Sequence, residues 1–225
     1  PLAIAGALWY QGEANTSRAQ QYRILLPALI GDWRERFGQG EFPFYIVGLP
    51  AFMARRSEPG TDGWAELREV QLDVARHVRN TAVAVTIDTG DANDIHPKEK
   101  RTVGERLARW ALAEHYGRDV AASGPTLKWV ERRPGALALH FDNVGDGLVV
   151  RGEKLGEFAV AGPDREWRWA EAKIAGKDVV VLTSNAVTEP VAARYAWQSN
   201  PLATLTNSDG LPAAPFRTDD WPLGR

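Results

Sequence analysis

Cysteine is absent from the 225 residues, so disulfides and thiolate chemistry are excluded and any metal would need His and carboxylate ligands. Neither sign of charge dominates. Lys and Arg total 27 against 29 Asp and Glu, a net charge of −2, which gives no pull on a polyanion. No basic run, RNA-binding aromatic motif or Cys/His finger is present, and nucleic acid is not expected as a partner. No apolar stretch approaches the roughly 20 residues that cross a bilayer, so no membrane partner is expected. No signal peptide is visible. The chain opens "PLAIAG" without an initiator Met and reads as a segment that enters a fold midway.

What is present is the balance of a globular protein, 44% hydrophobic and 25% charged. The first half alternates apolar runs with helical ones. Leu2 to Tyr10 reads as a buried strand. Ser17 to Phe37 sets Tyr22, Leu25, Leu26, Leu29, Trp33 and Phe37 on one stripe, with Ser17 as N-cap. "FPFYIVGLP", the helical "GWAELREVQLDVARHV", "TAVAVTID" and the helical "PKEKRTVGERLARWALAEHYG" follow. The order β-α-β-α-β-α, with strands apolar along most of their length, predicts an α/β fold whose parallel sheet is covered on both faces. In such sheets ligands bind beyond the carboxyl ends of the strands. From about Gly124 the pattern becomes short alternating runs broken by Pro-Gly, Gly-Asp and Gly-Pro turns, which predicts a β-sandwich-like or jelly-roll-like module. The expected domains are 1–122 and 123–225.

Two polar clusters occupy corresponding places: "QGEAN" after the first strand and "DTGDANDIHPKEK" after the third. A parallel sheet would bring both to one rim. His96, in a loop and directly before Pro97, is the candidate general base, and Asp88, Asp91 and Asp94 lie upstream to hold the imidazole. Glu13 is a second candidate for orienting His96, or an acid in its own right. Gln11 offers an amide donor and Gly12 an accessible backbone N–H, both suited to an oxyanion hole or substrate contact. Asn15 reads as a substrate contact or an Asx-turn residue. His77 and His115 fall on helices and His140 on a strand. A calcium loop counted from Asp88 meets Gly90 and Ala92 where oxygen ligands are needed, so that pattern fails. Zinc lacks His pairs at short or helical spacing, and no metal or cofactor is called for. Trp167 and Trp169 share a strand face, where they would stack sugar or pack a core.

"WYQGEAN", "WAELREVQLDV", "DANDIHPKEKRTVGERLA" and "RYAWQSNPLATLTNSDGLPAAPFRTD" together resemble the sialate O-acetylesterases of the SGNH hydrolase superfamily, over essentially the whole chain. The resemblance implies a flavodoxin-like three-layer α/β/α esterase domain, here N-terminally truncated, with an accessory β domain. It implies metal-independent removal of O-acetyl groups from sialic acids or related sugars, and a periplasmic or extracellular location. In that family the serine sits in a Gly-Gln-Ser-Asn motif well before the Gln-Gly-Glu segment. This sequence has no such motif, and Ser17, Ser57, Ser123, Ser184, Ser199 and Ser208 lack the turn that exposes a nucleophile. The implied site is therefore His96 as base, Gln11 and Gly12 as oxyanion or substrate contacts, and no nucleophile within the chain. An upstream segment of the same protein is expected to supply the serine and complete the sheet. Many SGNH enzymes place Asp three residues before the His. Here that position is Asn93, with Asp94 two before, which leaves Glu13 and Asp94 as rivals.

Two other readings stay open at this point. A glycoside hydrolase would use Glu13 and Asp94 as acid and base, about 5 Å apart if retaining or roughly 6.5–9.5 Å if inverting. A non-catalytic carbohydrate-binding protein would use the β-rich half and its tryptophans.

Overall fold

The computed structural model describes residues 2–223. Strand β1 (Ala7–Trp9), β2 (Phe44–Val47) and β3 (Thr81–Ala84) form a parallel sheet in the order β1-β2-β3. β1 is shorter than the apolar run that suggested it. Ala7 donates to the Pro43 carbonyl at 2.9 Å, but Pro43 has no N–H to return, so the ladder cannot extend toward Leu2.

Helix α1 (Ala19–Phe37) and α2 (Gly63–His77) cover one face through Tyr22, Leu26, Ile30, Leu67, Val70 and Val74, which meet Phe44 and Ile46. Helix α3 (Lys100–Trp110) covers the other, where Val103 and Leu107 meet Tyr45, Val47, Ala82 and Ala84. This alternation of sides follows from the strand period: Phe44 and Ile46 point one way, Tyr45 and Val47 the other.

Two expectations for α1 are corrected. Ser17 is not its N-cap: residues Glu13–Arg18 first form a 3-10 turn, and the helix starts at Ala19 with no side-chain cap. The buried stripe runs Tyr22, Leu26, Ile30, at four-residue spacing, which turns Leu25 outward to 55% exposure. Helix α2 does have a polar cap, the Asp62 carboxylate accepting from the Ala65 N–H at 2.8 Å.

The rest of the chain is antiparallel. Strands β4 (Thr126–Arg133), β5 (Ala136–Asp142), β9 (Glu171–Ile174) and β10 (Val179–Thr183) form a sheet ordered β4-β5-β10-β9. A second sheet, ordered β13-β11-β7-β8, comprises β7 (Phe158–Ala161), β8 (Trp167–Trp169), β11 (Ala192–Tyr195) and β13 (Phe216–Arg217). β6 (Leu148–Val150) pairs with β12 (Leu205–Asn207). Leu137, Leu139, Phe158, Val180, Leu182 and Tyr195 fill the core of these sheets, and Val85 and Ile87, just beyond β3, belong to the same core.

Polar contacts weld the halves. Arg217 on β13 donates to Glu69 on α2 at 2.7 Å, and Arg194 on β11, held by the buried Asp219 carboxylate at 3.0 Å, donates to the Thr61 hydroxyl before α2 at 3.1 Å. Trp167 packs in this seam, with the Arg194 guanidinium 4.0 Å over its ring. Trp169 donates its indole N–H to the Ser57 carbonyl at 2.6 Å.

Candidate active site

Because the three strands are parallel, the segments leaving β1, β2 and β3 emerge at one rim. The segment after β1 is held from both sides. Trp9 donates to the Tyr22 hydroxyl at 3.1 Å, and Tyr22 donates to the Gln11 side-chain oxygen at 2.9 Å. The Gln11 amide in turn donates to Asn15 Oδ1 at 2.7 Å. Gln11 and Asn15 therefore form one unit, and one of the two amide hydrogens of Gln11 remains for another acceptor. Burial pushes the Tyr22 hydroxyl above its ordinary pKa, with the Glu13 charge adding to the rise, so it stays a donor.

Gly12 lies buried against α2, with φ of 146°, and a Cβ there would sit 2.6 Å from Leu67 Cδ2. Only glycine fits. The Glu13 carboxylate is partly exposed and has no hydrogen-bond or ion-pair partner among the described residues; the Glu13 carbonyl accepts from the Thr16 hydroxyl at 3.1 Å.

The segment after β3 divides its acids. Burial acts to raise the pKa of Asp88, but the guanidinium groups of Arg106 and then Arg151 outweigh it and hold that carboxyl below the usual range. Arg106 Nη2 is 2.6 Å from Asp88 Oδ2, so this carboxylate is committed to arginine. Asp91 caps its own loop, accepting the Asn93 N–H at 2.8 Å. Asp94 is the carboxylate beside the base candidate. It accepts the His96 backbone N–H at 2.9 Å, and its Oδ1 lies 3.7 Å from His96 Nδ1. Neither Glu13 nor Asp88 is within ion-pair reach of His96. The imidazole is 89% exposed, with Nε2 free to face solvent or a partner group.

The remaining histidines serve the scaffold. His77 Nδ1 meets the Asp73 carbonyl at 2.8 Å, His115 packs on Tyr116, and His140 stacks on Trp129. The Ser199 hydroxyl donates to Asp62 at 2.9 Å, and Ser123 donates to the Gly124 carbonyl. None of the hydroxyls of Ser57, Ser123, Ser184, Ser199 and Ser208 is hydrogen-bonded to an imidazole.

Two supporting residues escaped the reading of the sequence. Gln71, fully buried on α2, accepts the Leu49 N–H at 3.1 Å and donates toward the Gln11 carbonyl at 3.3 Å, tying the segment after β1 to the one after β2. Arg68, equally buried, donates to the carbonyls of Leu49, Pro50, Gln198 and Ser199 at 2.6–2.8 Å. The available signal was a pair of long polar residues at the inward positions of "ELREVQL", between Leu67 and Val74. Among the described residues, no group of three or more His, Asp or Glu is arranged to hold a metal ion.

Residues 2–113 match the family model described as carbohydrate esterase, sialic acid-specific acetylesterase. A sialate O-acetylesterase of Mus musculus is 32% identical over 243 residues, taking in 96% of this chain and 44% of that protein. One of Homo sapiens is 29% identical, over 96% of this chain and 46% of its own length. The crystal structure of a carbohydrate acetylesterase from Xanthomonas citri superposes with a TM-score of 0.90 at 41% identity, covering 97% of this chain and 51% of that one. The chain thus spans about half the length of the relatives it matches. Its residues 2–113 belong to the carbohydrate esterase family of sialic acid-specific acetylesterases.

Proposed function

We propose that this chain is the base-bearing part of an SGNH-type O-acetylesterase acting on sialic acid or another acetylated sugar, in the periplasm or outside the cell. The observation that carries the reading is the Asp94–His96 pair on the same sheet rim as the Gln11–Asn15 unit, with the imidazole open on its Nε2 side. Asp94 stands 3.7 Å off the Nδ1 side, and a hydrogen bond from Nδ1–H formed as that gap closes would set the tautomer that makes Nε2 the base. A serine hydroxyl from a segment outside residues 1–225 loses its proton to Nε2 and attacks the acetyl carbonyl. The free amide hydrogen of Gln11 stabilises the oxyanion. His96 returns the proton to the departing sugar hydroxyl, and water then hydrolyses the acetyl-enzyme by the same base.

The sheet is open where that segment would join. Among the described residues β1 pairs with β2 alone, and Leu8, on the α3 side of the sheet, is 64% exposed because α3 lies over β2 and β3. An additional strand beside β1 with its own helix would cover Leu8.

The test compares hydrolysis of 4-nitrophenyl acetate by the 225-residue chain with hydrolysis by the same chain joined to the part of the Xanthomonas citri enzyme that it leaves unmatched. The chain alone should show no saturable turnover. The joined protein should, and His96→Ala should lower it by at least about a hundredfold. Saturable, His96-dependent turnover by the chain alone, or a folded joined protein without any, overturns the proposal.

A further inference from the structure

The outer face of the β4-β5-β10-β9 sheet holds features that the proposed esterase chemistry does not use. Leu127, Val130, Leu137, Leu139, Val180 and Leu182 point to the core, so alternation turns Trp129, Glu131, His140 and Val179 the other way. Trp129, His140 and Val179 lie in one cross-strand row, and Glu131, Ala138, Val181 and Lys173 in the next.

Trp129 departs from the other tryptophans. Trp9, Trp64, Trp110 and Trp169 each donate the indole N–H to a named acceptor, Trp167, Trp197 and Trp221 lie against arginine, and Trp33 packs edge-on against Trp9 and Phe44. Trp129 is 48% exposed, and its N–H has no hydrogen-bond partner among the described residues. One ring face is nevertheless fixed: the His140 imidazole lies parallel to it, with centroids 3.8 Å apart and planes 6° from coplanar. His140 is itself held from the far side of the row by its β10 neighbour Val179, and its Nε2 sits 3.5 Å from Glu131. The result is a rigid aromatic plate with its second face to solvent. Glu131, fixed by Arg133 at 2.7 Å, stands at its edge, and Lys173 continues the polar border three strands away.

A plate of that kind suits a ligand with one flat C–H face and a rim of hydroxyls, which describes a pyranose ring. The ring stacks on the indole, whose quadrupole favours polarised C–H groups, while the indole N–H and the oxygen and N–H groups that the Glu131–Arg133 pair leaves unused bond hydroxyls. A lone exposed apolar side chain is ordinary on a protein surface. The stacked support, the unpaired donor and the charged border occur together only at Trp129 among the described tryptophans. We propose that Trp129, backed by His140 and edged by Glu131, is a glycan-binding platform separate from the ester-cleaving rim. A sugar as occupant rests on membership of the carbohydrate esterase family, and the binding itself requires no ester chemistry.

Native gels cast with soluble xylan, galactomannan or a mucin test it on the chain as it is. Mobility should fall in at least one of these glycans. Trp129→Ala should raise the dissociation constant read from the retardation by about tenfold, or about 1.4 kcal/mol. Trp129→Phe, which keeps a plate, should recover part of the retardation. His140→Ala, which removes the support, should weaken it about threefold, and Trp169→Ala, whose ring lies elsewhere, should match the parent chain. A cooperative urea transition checks that each variant folds. Absence of retardation in all three glycans, or equal retardation of the parent chain and Trp129→Ala, overturns the platform. Because no ester is hydrolysed in the assay, either result leaves the esterase proposal standing or falling on its own test.

Discussion

The Lys100 ammonium lies 4.7 Å from the centroid of the Tyr10 ring. Tyr10 immediately precedes Gln11, and Lys100 follows His96 by four residues at the start of α3. This contact joins the two polar segments, about ninety residues apart in sequence, at one rim.

The Tyr10 hydroxyl is buried there with no hydrogen-bond partner among the described residues. Burial, and then the Glu13 charge, hold its pKa above the ordinary value, so it stays neutral. An unsatisfied buried hydroxyl costs about 1–3 kcal/mol. Tyr10→Phe should therefore leave this chain as stable as before or more stable, by up to about 1 kcal/mol in urea unfolding. A loss of more than about 1 kcal/mol would mean that the hydroxyl has a partner.

Asp88 gives the pH dependence. Its carboxyl is held below the ordinary range by Arg106 and Arg151 against the opposing effect of burial. A depressed folded pKa stabilises above the unfolded value, about 3.9, and that contribution fades as pH falls through the folded pKa. Asp88→Asn should cost about 3 kcal/mol at pH 7 by leaving the buried Arg106 without its counter-charge. The gap should be the same at pH 5 and shrink below about pH 4. Urea midpoints of both proteins across this range check the sign; a gap that widens in acid would refute it.

Arg68 is the weld whose loss should be felt most. Burial pushes its pKa down to about 9, with the Asp62 charge opposing, so it remains charged at neutral pH. Arg68→Ala strands four carbonyls, from the segment after β2 and from Gln198 and Ser199 beyond β11. A cost of about 3–5 kcal/mol follows, and Arg68→Lys should recover little because ammonium cannot span the fork. Thermal or urea unfolding reads it directly.

The parallel order of the first three strands was legible because each strand is apolar along its length and each intervening run has helical spacing. That "QGEAN" and "DANDIHPKEK" leave the sheet at one rim followed from that order alone. Strand and helix ends were less legible. β1 stops where Pro43 lacks an N–H, and α1 starts late because a 3-10 turn takes up Ser17, and neither effect is visible in periodicity. Asp94 rather than Glu13 stands beside His96 because of an Asx turn, a three-dimensional choice among several nearby acids. Arg68 and Gln71 were hidden by their type, since long polar residues are taken for surface until their acceptors are known.

Leu8 tests the open edge. Its side chain is exposed and β1 has one free edge, so two copies of the chain can pair there, as unprotected strands do. Light scattering over increasing concentration should show the parent chain self-associating. Leu8→Lys should reduce that association and change the urea midpoint by less than about 0.5 kcal/mol, as for other exposed positions. In the joined protein the same substitution should be costly, because the added strand and helix would bury the lysine. A chain that is monomeric throughout, or a Leu8→Lys variant destabilised on its own, would show that the β1 edge is not the surface that awaits a strand.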